Sequence, residues 1–242
     1  MQFKIAIFIF LFLTTFLYSK NNITEITIIA LYSEDSKYRY LIFNPAKEIK
    51  KSIKNTNQVN INSGVKIKYK LVYLKEYPLN TSLNNYDFMS TYLKDKNIKQ
   101  LRNKYKADLV LLYKPTKKND KMKGLGYINS ELQENLAYAF ISINGAKYAT
   151  AHEIGHLLGL GHSYRSEPLG DEYPYKRYGK GYGINNKFST IMSYTKEFET
   201  KKRIPIYSNP EIKYKNHPCG IKKIANSTKA LNEARFKVSK FR

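Results

Sequence analysis

Residues 151–162 read AHEIGHLLGLGH and hold three of the four histidines in the chain. Ile154, Leu157 and Leu158 give this stretch an apolar side that predicts a core-facing helix. On such a helix His152 and His156, four residues apart, project from one face, one turn above the other. Gly159 can take the left-handed conformation that stops a helix, so that the chain turns back and His162 brings a third imidazole to the first two. Three protein ligands leave a position open for water, which is the pattern of a catalytic rather than a structural zinc site. Glu153 lies about 100° around the helix from His152, close enough to reach that water without entering the row of ligands. His152, His156 and His162 are therefore the expected ligands of Zn2+. Glu153 is the expected general base, taking a proton from a zinc-bound water as it attacks a carbonyl and returning it to the leaving amine. An amphipathic helix whose histidines are merely hydrogen-bonded would not require five residues at these spacings. Metal binding without catalysis is the weightier alternative.

Upstream, strand and helix patterns alternate. ITEITIIALY, residues 23–32, is β-branched and apolar like a buried strand. Asn44-Pro45 offers a cap and first-turn proline for a helix with Ala46, Ile49 and Ile53 on one side. VKIKYKLVYL at 65–74 alternates apolar and basic residues, as a strand with one solvated face does. A helical stretch over about 86–104 precedes ADLVLLY, a buried strand at 107–113. Residues 114–126 read as a loop, and AYAFISI at 137–143 as another strand. Such alternation predicts a mainly parallel sheet. Past His162 the sequence is rich in Gly, Pro, Tyr and charge with little period until about residue 225, which implies irregular structure. Leu231, Ala234, Val238 and Phe241 then mark a last helix over 228–241.

The N-terminus, MQFKIAIFIFLFLTTFLYSK, has one early lysine, an apolar run and a small residue at Ser19, in the order of a secretory signal peptide spanning 1–19. The run is short of the roughly 20 apolar residues of a bilayer span. The expectation is a secreted protein, extracellular or periplasmic, with no stable membrane insertion once the signal is removed. Residues 20–242 then form one catalytic domain, with an upper lobe to about 160 and a lower lobe from about 161. The 242-residue chain is 42% apolar, enough for an ordinary core. Cys219 is the only cysteine, which excludes an intrachain disulfide and any disulfide-stapled scaffold. The net charge of +23, less the one charge of Lys4 in the signal, leaves +22 spread along the chain. Such an excess steers anionic partners. No nucleic-acid motif accompanies it, so nucleic acid is not an expected partner.

H-E-x-x-H-x-x-G-x-x-H is the signature of the metzincin metallopeptidases, which also carry a methionine turn downstream. STIMSY at 189–194 resembles that turn. The resemblance implies that Met192 forms an apolar floor beneath the zinc without ligating it. It also implies that Tyr194, two residues on, can approach the metal and stabilise an oxyanion, as in the astacin- and serralysin-like branches. ADLVLLY, GKGYG at 179–183, YSNP at 207–210 and ALNEAR at 230–235 extend the likeness to reprolysin-like and peptidyl-Asp-type bacterial secreted proteases. Implied with it is an α+β zincin fold: a twisted mixed sheet with two helices above, and a smaller irregular lobe ending in a helix. Substrate lies along an edge strand, for which AYAFISI is the candidate. Ser163 departs from the Asp that reprolysins place after the third histidine. No cysteine precedes the site to cap the zinc from a propeptide, and the roughly 130 residues before the zinc helix are needed for the upper lobe. No long propeptide is expected.

The leading expectation is a monomeric zinc metalloendopeptidase acting on protein or peptide substrates, acidic ones favoured by the charge. The alternative is a secreted basic zinc-binding protein without protease activity that binds an acidic partner. Retention of Glu153 speaks against it, since a structural metal needs no such carboxylate. A zinc amidase acting on other amide bonds has less support from the extended pattern.

Overall fold

A computed structural model of the protein describes residues 22–38, 44–116, 120, 122–145, 147–166 and 173–242. The expected signal segment, 1–19, lies outside the described residues. Among the described residues no helix is long and apolar enough to cross a membrane.

Five strands form the main sheet: β1 (Thr24–Tyr32), β2 (Ile67–Glu76), β3 (Leu109–Lys114), β4 (Gly124–Gly126) and β5 (Tyr138–Ser142), in the order β2-β1-β3-β5-β4. The first four positions run parallel, and β4 is antiparallel to β5. The mainly parallel sheet expected from the sequence is thus present, with one antiparallel edge. A single helical turn, α1 (Asp35–Tyr38), follows β1. Next comes α2 (Pro45–Ser63), which begins as Asn44 accepts the Lys47 amide and ends at Gly64, φ 75°.

The helical stretch expected over 86–104 is two helices, α3 (Asn85–Leu93) and α4 (Lys96–Lys104). Asp95 makes the break: its carboxylate accepts from the amides of Asn97 and Ile98, capping a new helix. These two cover one face of the sheet, where Phe88, Met89, Tyr92 and Ile98 bury Ile29, Val110, Leu112 and Phe140. On the other face α2, α5 (Ala149–Leu157) and α6 (Ser227–Val238) pack on Ile26, Ile28, Leu109, Leu111 and Ile141. Each fully buried aliphatic contributes about 1.5–3 kcal/mol. Helices therefore clothe both faces, more than the two that the family likeness implied.

AYAFISI was the expected edge strand, and the structure corrects this. β5 lies inside the sheet between β3 and β4, all five of its residues buried, and the edge is β4. A run apolar on both faces suits an interior strand. β4, placed within the expected loop, has only two glycines and a leucine to announce it.

Below the sheet the chain is irregular, as expected, with two small hairpins: β6 (Gly183–Ile184) with β7 (Phe188–Ser189), and β8 (Asn209–Tyr214) with β9 (His217–Cys219). α6, capped by Asn226 on the Lys229 amide, returns to the sheet and ends three residues before the predicted limit, yet Phe241 still packs on the core. The lower part is tied to the upper through Ser63, whose carbonyl accepts from Asn209 Nδ2 at 2.9 Å and Thr228 Oγ1 at 3.1 Å.

Candidate active site

All nine residues of α5 are buried, so the helix is fixed by packing on both sides. It stops as the sequence suggested. Gly159 adopts φ 82°, the Gly159 amide returns to the His156 carbonyl at 2.9 Å, and the Leu160 amide to Gly155 at 2.9 Å. The turn also orients a site residue, since the Leu160 carbonyl accepts His156 Nδ1–H at 2.8 Å. His152 Nδ1–H donates to the Ile191 carbonyl at 3.0 Å, which makes the segment before Met192 the holder of that ring. GKGYG clamps the third histidine: Gly161 donates to the Gly179 carbonyl at 2.9 Å and Gly181 to the His162 carbonyl at 2.8 Å.

The structure brings His152, His156 and His162 together, with candidate ligand atoms all within 4.8 Å of one another. Because carbonyl oxygens occupy both Nδ1–H groups, the Nε2 atoms of His152 and His156 face each other as bare acceptors, 3.1 Å apart. Two lone pairs in that position repel unless a cation lies between them. Nitrogens bound at about 2.0–2.1 Å to a tetrahedral ion stand about 3.3 Å apart. Burial, with the neighbouring His162, brings the His156 imidazole down to about 3, and burial first and its fellow histidines second hold His152 well below its usual range. Burial also lowers His162. All three are neutral near pH 7, the form a metal requires. The residues present fit a divalent metal.

Glu153 is buried beside them, and desolvation pushes its carboxyl up to about 8, opposed by the Gly126 amide. β4 lies directly on it: a Cβ on Gly124 would collide with its carboxylate, and one on Gly126 would come within 3.2 Å of its carbonyl oxygen. Met192 is buried below α5, and a Cβ on Gly155 would fall 2.5 Å from its sulfur. The HExxH spacer glycine is what allows that contact. Tyr194, 40% exposed, shares a hydrogen bond of 2.9 Å between its hydroxyl and His162 Nε2 and stacks on that ring at 4.9 Å. A cleft of about 230 Å³ opens over these residues, walled by Gly124, Leu125, Gly126 and Tyr127, with Tyr86 and Met122 also lining it. A larger cavity of about 310 Å³, between α2 and the start of α5, includes none of the histidines.

Three clustered imidazoles over a methionine turn, an adjoining carboxylate and an antiparallel edge strand on a helix-clad sheet define a metzincin-like metallopeptidase. The family model described as metallo-peptidase family M12B, reprolysin-like, matches residues 48–227, and the chain belongs to that family. Among curated proteins it is similar to peptidyl-Asp metalloendopeptidases. That of Pseudomonas aeruginosa is 29% identical over 208 residues, covering 74% of this chain and 34% of the relative. That of Xanthomonas campestris is 28% identical over 201 residues, covering 79% and 46%, and that of Stenotrophomonas maltophilia is 29% identical over 202 residues with the same shares. The chain thus spans between a third and a half of the length of these relatives. A solved structure described as a chaperone-substrate complex matches with a TM-score of 0.74 at 20% identity, over 91% of this chain and 35% of that one, a likeness of fold.

The sequence reading had no means of finding the backbone carbonyls of Leu160 and Ile191 or the two β4 glycines that face Glu153. Gly124 and Gly126, spaced two apart and 25 and 23 residues before the site helix begins at Ala149, were the only signal for the latter.

Proposed function

We propose that this protein is a secreted zinc metalloendopeptidase that hydrolyses peptide bonds in protein or peptide substrates. His152, His156 and His162 hold the ion. Zinc in a three-histidine site acts as a Lewis acid, lowering the pKa of water toward ~7 and polarising a carbonyl.

The remaining chemistry belongs to the chain itself. Glu153, kept from bulk water and one residue from His152, takes the proton of the attacking water and delivers it to the leaving amine. Its high proton affinity suits both halves of that exchange. Tyr194 leaves His162 and gives its hydrogen bond to the oxygen on which negative charge develops. Met192 supports the histidine cluster from below. Substrate lies extended along the free side of β4, where backbone hydrogen bonds hold it with little demand on its side chains. Acidic substrates are favoured by the positive charge and by the similarity to peptidyl-Asp metalloendopeptidases. Residues 1–19 act as the signal, and 20–242 act as one monomeric catalytic domain with lobes meeting near residue 160.

The observation that carries this reading is the facing pair of bare Nε2 atoms with Glu153 buried alongside. The test is hydrolysis of a diverse peptide mixture by purified protein, with a chelated sample and Glu153→Ala as controls. Cleavage that disappears in both controls is the expected result. Absence of cleavage from zinc-loaded protein overturns the proposal.

A further inference from the structure

Two exposed aromatic side chains border the cleft over the histidines: Tyr86, 61% exposed, and Tyr194. Tyr194 has its hydrogen bond with His162 to account for its place. Tyr86 serves neither the histidines nor Glu153, yet its base is fastened. Asn84 Oδ1 accepts the amides of Tyr86 and Asp87, each at 3.0 Å, and so caps α3. Phe88 and Met89, both fully buried, then fix that helix against the sheet. The ring projects from a rigid mount into the open side of the cleft.

β4 divides the surroundings of an extended substrate into two faces. Gly124 and Gly126 lie toward α5, where a Cβ on either would meet Glu153. Successive residues of a strand point to opposite faces. Leu125, between the two glycines, and Tyr127, next in the same alternation, accordingly pack on the other side with the cluster of Phe88, Met89 and Phe140. Residues opposite each other in paired strands share a face. A peptide laid along the free side of β4 therefore turns alternate side chains toward the histidines and toward α3. Those on the α3 side come over Leu125, Tyr127 and Tyr86, all of which line the cleft.

That surface is aromatic and aliphatic. Among the described residues lining the cleft there is no Lys or Arg, and the one carboxylate is Glu153. A substrate carboxylate on the α3 side would meet no counter-charge there, because the net +23 of the chain acts over distance. An aromatic ring with few rotatable bonds presents a large contact area and loses little freedom when covered. We propose that Tyr86, with Leu125 and Tyr127, forms an apolar subsite that takes an aromatic or large aliphatic side chain of the substrate, on the face turned away from the histidines. This rests on the endopeptidase reading above, and the acidic preference drawn there from charge belongs to other positions of the substrate.

The test uses a parent peptide with a single cut bond, in which Ala, Leu, Phe or Asp replaces, one at a time, each of the three residues on either side. The quantity read is kcat/KM for each member relative to Ala at the same position. Wild type should favour Phe over Ala by about 10-fold at one position, the scale of one aromatic pair with its burial, and should place Asp below Phe there. Tyr86→Ala should bring that ratio to within about threefold of unity and leave the other positions as they were, while Tyr86→Phe should keep it. The ratio is internal to each sample, so partial loss of folded enzyme does not alter it. Tyr86→Gln, which keeps a helix-forming residue without the ring, decides in the same way should the alanine variant not fold. Phe236→Ala removes an aromatic ring that is 56% exposed and lies on α6, outside the cleft lining, and should change nothing. A wild type with no position that prefers Phe to Ala, a preference that survives loss of the Tyr86 ring, or an equal fall in the Phe236 variant each overturns the assignment and leaves the peptidase reading intact. Failure of wild type to cut any peptide defeats both.

Discussion

The carboxylate of Glu153 fills the space that a side chain at Gly124 would need. Strand and helix are thereby locked at van der Waals range, and the edge of the sheet is set against the group proposed as general base.

Gly124→Ala is therefore expected to displace that carboxylate. A shift of about 1 Å in a reacting group costs on the order of 100-fold in rate, so kcat should fall by about that factor while metal content stays near one per chain. Steady-state kinetics beside metal analysis checks this. Unchanged kcat would mean that the carboxylate position beside β4 has no bearing on the reaction.

Tyr194→Phe removes the hydroxyl 2.9 Å from His162 Nε2 and leaves the ring stacked. If the phenol stabilises developing charge, kcat should drop by about 10- to 1,000-fold with KM little altered, the range seen when one oxyanion donor is lost. Thermal stability should barely change, because the side chain is 40% exposed. A variant with normal kcat would assign Tyr194 to packing alone.

Much of this arrangement was legible because it is local. Three histidines and a glutamate within eleven residues define their geometry through helical period and one glycine turn. β1, α2 and β3 likewise carry their patterns in contiguous residues. β4 was not legible, since Gly-Leu-Gly has no periodicity and its place depends on Glu153, thirty residues away in sequence. The choice of β5 as edge strand went wrong despite a usable signal: alternate residues of AYAFISI include no polar face, and both sides are buried.

Removing metal should uncover the repulsion between the two Nε2 atoms 3.1 Å apart. A ligand at about 1,000 times its Kd stabilises the native state by about 4 kcal/mol, and for a chain of this size each kcal/mol moves Tm by about 2–4 °C. Chelation should therefore lower Tm by about 8–16 °C, with recovery on adding zinc. His156→Ala should melt at the lower temperature with or without the ion. Equal melting of chelated and zinc-loaded wild type would rule out a metal held by the folded site.

Cys219 provides a pH test outside the cluster of His152, His156 and His162. It is fully buried in the small cluster with Phe188 and Ile204, and burial pushes its thiol up to about 11, with the Tyr214 backbone opposing. Alkylation follows the thiolate, so native protein at pH 8 should react far more slowly with iodoacetamide than denatured protein. For stability the sign is that of an acid held protonated by the fold. Its contribution is whole below the ordinary thiol value of 9 and is lost as pH rises from there through about 11, since the unfolded chain releases the proton first. Cys219→Ala, which leaves a small cavity, should cost about 1 kcal/mol near pH 7. That deficit against wild type should shrink as pH rises from 9 to 11, because only wild type pays to keep the thiol neutral. Denaturant titrations of both proteins at pH 7, 9 and 10.5 measure the difference, and a gap that widens with pH would show that the buried sulfur is held as the thiolate.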